Sequence, residues 1–114
     1  MKNSQLKFLK KVINENKENR TEFLLINFDY KDGNDYLAKI FNKEFNMKVE
    51  EKKDYIWFSM IKLCKKNTCY ELLWHEDIGN IIYSLEQDED TVNELELRLQ
   101  KVLDVLNIKI LENN

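Results

Sequence analysis

The run Tyr55–Leu85 reads YIWFSMIKLC (55–64), KKNT (65–68), CYELLWH (69–75), EDIGN (76–80) and IIYSL (81–85). Three β-branched and aromatic runs alternate with short polar breaks, the pattern of an antiparallel meander. With Lys66 and Asn67 as the central residues of the first turn, every later pair is fixed. Lys65 opposes Thr68, Cys64 opposes Cys69, Leu63 Tyr70, Lys62 Glu71, Ile61 Leu72, Met60 Leu73, Ser59 Trp74 and Phe58 His75. That register sets Lys62 directly across from Glu71, a favourable opposite-charge pair. Gly79 and Asn80 tolerate positive φ and predict the second return.

Because strand side chains alternate, one face collects Ile56, Phe58, Met60, Leu73 and part of Ile81–Leu85. The other collects Tyr55, Trp57, Ile61, Leu63, Tyr70, Leu72 and Trp74. Neither face is polar enough to be a simple solvent face. Helices therefore cover much of both, or one face stays partly open and receives a partner.

Outward from the meander, Met47–Lys52 is a short, charged segment suited to an edge strand. Before it, Leu37, Ile40, Phe41 and Phe45 fall on one side of a helix capped by Asn34 or Asp35. Phe23–Tyr30 is a nearly continuous apolar run, expected as a strand covered on both faces. Leu6, Leu9, Val12 and Ile13 have helical spacing, so an amphipathic helix is expected from a cap at Asn3 or Ser4 to about Asn16. Its other side would carry Lys2, Lys7, Lys10 and Lys11 as a solvated face. The chain is net acidic, which argues against nucleic acid as a partner.

On the C-terminal side, Thr91 and Glu94 have capping-box spacing. Val92, Leu95, Leu99, Val102, Leu103 and Leu106 form the clearest helical stripe, with Asn107 ending it and Ile108–Leu111 as a candidate last strand. The expected fold is a single α+β domain over residues 1–114. It is a mostly antiparallel sheet of about five strands packed with about three helices.

Composition limits function. With 43% hydrophobic and 34% charged residues, the 114-residue chain reads as soluble and globular, and its charge-interrupted start does not read as a secretory signal. No apolar run is long enough to span a bilayer, so a cytoplasmic protein without a membrane partner is expected. There is no proline, and Gly33 and Gly79 alone cannot build a phosphate-binding loop. Two cysteines are too few for a disulfide framework; their cross-strand position would permit a bridge, but reduced structural thiols are expected in such a compartment. Cys64, Cys69 and the single histidine, His75, lack a fourth zinc ligand and match no usual zinc spacing. The acidic DYKDGND stretch (29–35) resembles the start of a calcium loop, but the closing acid of such a loop falls near Phe41. No metal or organic cofactor is expected.

Two constellations carry functional weight. His75, Glu76 and Asp77 could form a general base with carboxylates, yet the segment lacks the second histidine of a zinc-protease helix and reads as a strand end. The stronger signal is charge layout. Glu71, Glu76, Asp77, Glu86, Asp88, Glu89, Asp90, Glu94 and Glu96 follow one another with no intervening lysine or arginine. Acids at the edge of an aromatic sheet would steer a cationic partner, and rings would anchor it. The candidate partner-binding residues are Trp57, Glu71, Trp74, His75, Glu76, Asp77, Tyr83, Glu86, Asp88 and Glu89.

In size, acidity, lack of a catalytic motif and richness in Asn, Lys, Glu and Ile, the chain resembles the small bacterial immunity proteins of contact-dependent growth inhibition and other polymorphic toxin systems. The resemblance implies a cognate toxin domain, often a nuclease, bound and blocked in the cytoplasm. Two other classes compete with it: a small enzyme using His75 with Glu76 or Asp77, and a homo-oligomer built through the aromatic face.

Overall fold

The computed structural model describes residues 6–112. Its elements are β1 (Phe8–Asn14), β2 (Arg20–Ile26), α1 (Gly33–Phe45), β3 (Lys48–Asp54), β4 (Phe58–Lys65), β5 (Thr68–His75), β6 (Gly79–Ser84) and α2 (Glu89–Glu112). The strands form one antiparallel sheet in the order β1-β2-β6-β5-β4-β3. The fold is α+β, with six strands and two α-helices among the described residues in place of about five and three.

The hairpin of β4 and β5 has the expected register at all eight pairs, from Phe58 with His75 to Lys65 with Thr68. Lys66 takes a left-handed conformation (φ 57°), which a tight two-residue turn demands. Gly79, at φ 100°, makes the second return, where its pairing with His75 begins β6.

Five expectations change. The N-terminal segment is strand β1 where a helix was expected, and the caps proposed for it, Asn3 and Ser4, lie outside the described residues, as does Lys2. Pairing explains this. β1 matches β2 residue for residue from Phe8–Ile26 to Asn14–Arg20, so a weak helical periodicity loses to a ladder that satisfies an otherwise open edge. Adjacent Lys10 and Lys11 consequently point to opposite faces, and no single basic face exists there.

Second, β2 stops at Ile26 because Asn27 turns left-handed (φ 65°), and Phe28 then folds into the core from a loop. Third, Tyr55, Ile56 and Trp57 are not strand residues. The chain turns there, with Tyr55 N–H donating to the Phe58 carbonyl at 2.7 Å. Fourth, Ile108–Leu111 continue α2 as helix, where a last strand was expected. Fifth, Asp32 occupies the N-cap of α1 without a side-chain bond, and Asp88 caps α2 by accepting from the Thr91 amide (3.1 Å) and hydroxyl (2.9 Å). The cap residues therefore lie before Asn34, Asp35 and Thr91.

Both helices pack on one face of the sheet. Their buried stripes, Leu37, Ala38, Ile40 and Phe41 from α1 and Val92 to Leu106 from α2, meet Phe23, Leu25, Ile61, Leu63, Tyr70, Leu72 and Ile82. Arg98 of α2 donates to the hydroxyl of buried Tyr70 at 3.0 Å, so this phenol is satisfied beneath the helix. The opposite face carries no helix among the described residues.

Polar residues lock the loop between β2 and α1 to the sheet. Buried Asn34 donates to Ser59 Oγ and to the Leu72 carbonyl, each at 3.2 Å, and accepts from Asn80 Nδ2 at 3.1 Å. Asn80 in turn accepts from the Tyr30 amide at 3.0 Å. Gly33 is required beside them, since a Cβ there would stand 2.7 Å from the Phe28 ring.

Candidate partner-binding surface

The uncovered face divides into a polar and an apolar half. Across the sheet, one row runs Lys10, Leu24, Ile81, Leu73, Met60 and Lys53 through all six strands in register. Its four central residues are apolar and its ends are lysines on the two edge strands. A neighbouring row is ionic. Arg20 donates to Glu22 through Nε (2.9 Å) and Nη2 (2.6 Å), Asn14 Nδ2 donates to the same oxygen (3.0 Å), and the Arg20 guanidinium lies 3.6 Å above the Tyr83 ring. Tyr83 donates to Glu71, which pairs across from Lys62. Burial first, then this bond to a carboxylate, push the Tyr83 phenol well above its usual range, against the opposing pull of Arg20.

At the apolar end of the face two turns meet. The 55–57 turn and the 76–78 turn are joined by the Glu76 amide, which donates to the Trp57 carbonyl at 3.1 Å. The second turn closes on itself through Ile78 N–H to the His75 carbonyl (3.0 Å). Together they present Tyr55, Ile56, Trp57 and Ile78, exposed by 53%, 86%, 53% and 55%. Such a group of large apolar side chains at a loop tip makes it the candidate interaction site of this face. The rings are ordered as a stack: Tyr55 lies 6.4 Å from Trp57 at 20°, Trp57 lies 5.9 Å from Phe58, and the His75 ring meets Trp57 edge-on at 5.9 Å.

The charge around this tip is unbalanced. Lys31 is engaged by Asp54 (3.4 Å) and Lys53 by Glu51 (3.5 Å). No ion pair among the described residues engages Glu76 or Asp77, which are both exposed.

The ten candidate residues from the sequence fall into four places. Trp57, His75, Glu76 and Asp77 share the tip. Glu71 and Tyr83 lie in the ionic row, and Tyr83 is buried. Trp74 sits on the helix side, half-buried, its indole N–H donating to Asp29 at 2.9 Å. Glu86, Asp88 and Glu89 lie at the far end of the sheet. There Glu86 accepts from the Cys69 amide at 3.3 Å. Cys69 and His75 are six positions apart on β5, so the two ends are separated by roughly 20 Å and the acidic run is not one patch.

His75 Nδ1 accepts from the Asp77 amide at 3.1 Å, which ties the ring into the turn. Tyr55 and Ile56 were not singled out in the sequence, because a strand reading of 55–64 hides a turn that leaves them outside the core, and Ile78 was not, because it falls in the polar break 76–80. Arg20 and Glu22 were missed because only the β2–β6 pairing brings them beside Tyr83. The cysteines, expected as free thiols, form a disulfide between Cys64 and Cys69, whose Cα atoms face each other at 4.1 Å. No helix of the described residues is long and apolar enough to cross a membrane.

No protein-family model, curated protein or solved structure matches this chain.

Proposed function

We propose that the protein is a binding module that grips a basic protein partner through the tip formed by Tyr55, Ile56, Trp57 and Ile78. The partner that fits its resemblance to small immunity proteins is a cognate toxin domain, held inactive in the cytoplasm. One observation carries this reading. Four large apolar side chains, each more than half exposed, are fixed by backbone hydrogen bonds and flanked by two carboxylates that no ion pair engages among the described residues. Rigid aromatic anchors supply holding energy at small ordering cost, and exposed acids accelerate encounter with a cationic surface. His75 supports the tip as a ring packed against Trp57, with one nitrogen already engaged by the backbone.

The test is protection of cells that express a candidate cognate toxin domain. Wild-type protein is expected to restore growth, and Ile56→Asp combined with Trp57→Ala to fail while remaining folded by circular dichroism. Full protection by the double variant would place the binding surface elsewhere.

A further inference from the structure

We infer that Cys64, Cys69 and Glu50 form a redox-gated site for a thiophilic divalent cation such as Zn2+, open only when the disulfide is reduced. It lies at the polar end of the sheet, away from the aromatic tip, and does not rest on the partner-binding reading.

The site is assembled by a fault in the β3–β4 ladder. Lys48 pairs with Cys64 and Val49 with Leu63, but the next pair is Glu51 with Lys62, so Glu50 is an extra residue in β3. Such a bulge re-aims a side chain. Here it carries the Glu50 carboxylate to the two sulfurs, and one ligand atom from each of Glu50, Cys64 and Cys69 lies within 4.8 Å of the others. Neighbouring ligands on a tetrahedral zinc ion are about 3–4 Å apart, given metal–sulfur and metal–oxygen bonds of about 2.3 and 2.0–2.2 Å. Once the S–S bond is broken, modest side-chain rotation spans that difference. Cys64 is buried and Cys69 half-buried, which shields the thiolates, whereas Glu50 is exposed and leaves a fourth position for water. His75, the single histidine of the chain, sits roughly 20 Å along β5 and takes no part.

The disulfide blocks the site because its sulfurs hold no thiolate charge. Opening it requires two electrons and two protons: an external dithiol supplies both and becomes a disulfide, whereas a phosphine supplies the electrons and becomes its oxide, with water giving the oxygen and the two protons. The cation then displaces both thiol protons to solvent as two metal–thiolate bonds form. Two thiolates and one carboxylate against a divalent ion leave one negative charge, and Lys48, directly opposite Cys64, lies where it offsets that excess.

The experiment uses the full chain, cleared of metal and reduced anaerobically with a phosphine, then titrated with Co2+ as a spectroscopic probe and with Zn2+ in competition. One equivalent of Co2+ is expected to bind with a thiolate-to-metal charge-transfer band in the near ultraviolet, and Zn2+ to displace it. The oxidised protein and the Cys64→Ser variant are expected to show no such band. Glu50→Gln, an exposed substitution that leaves the fold intact, is expected to weaken Zn2+ binding by about tenfold or more, the scale that even outer-shell changes produce. Absence of the band in the reduced protein would overturn the proposal. So would equal affinity in the oxidised protein, or an unchanged affinity in Glu50→Gln.

Discussion

Single side chains set the most testable energies. Removing the Asn34 amide by Asn34→Ala would leave the buried Asn80 amide without its acceptor and the Leu72 carbonyl without its side-chain donor. The expected cost is about 1–3 kcal/mol in denaturant unfolding, and a loss within error of zero would mean that water replaces the amide. Alkaline titration reads a second pair of residues. Burial above all holds the Tyr70 phenol above its usual range, and burial with Glu71 does the same for Tyr83. A raised folded pKa favours the neutral phenol, so this stability is fully present below about pH 10 and is lost as the pH rises through the folded value. The expected near-ultraviolet signal is late phenolate formation, with amplitude removed by Tyr83→Phe or Tyr70→Phe. At this scale the pairs of the 58–75 hairpin were legible because turn length alone dictates them. The Arg20–Tyr83 contact was not, since no local rule joins residues 63 positions apart in sequence; the one available hint was an acid, Glu22, in phase with the apolar side chains of β2.

Among the elements, the two segments that exchanged helix for strand or strand for helix did so for opposite reasons. β1 has a helix-like spacing of apolar residues, but β2 offers it a continuous ladder, so tertiary pairing decides. The 108–111 segment alternates like a strand, yet it follows 19 residues of established helix (89–107), and extending a helix adds one bond per residue without a new nucleus. The start of α2 provides a pH test. The Thr91 hydroxyl, then its amide, hold the Asp88 carboxyl below its ordinary range. A depressed folded pKa means that the contribution is present above the unfolded value of about 4 and disappears as the pH falls through the folded value. Thermal melts across acidic pH are therefore expected to give a shallower acid limb for Asp88→Asn than for wild type. Parallel curves would show that the cap is not coupled to this carboxyl.

For the whole molecule, the arrangement of two helices on one face of a six-stranded sheet makes an asymmetric object: one side is core, and the other ends in a fixed aromatic tip. The α+β class and the meander were legible from pattern. Trp57, His75, Glu76 and Asp77 were singled out, but their union with Tyr55 and Ile56 in one exposed tip was not legible, because Tyr55–Trp57 looks apolar enough to be core and only the early end of β3 turns it outward. The proposed division of labour at the tip is the central claim, and binding kinetics between this protein and a candidate cognate toxin domain with a basic surface test it most directly. Trp57→Ala is expected to speed dissociation, with a loss on the order of 2 kcal/mol or more for a hot spot, while association changes little. Charge reversal of Glu76 and Asp77 together is expected to slow association and flatten its salt dependence. Dissociation unchanged by Trp57→Ala, with association unchanged by the reversal of both acids, would contradict the account.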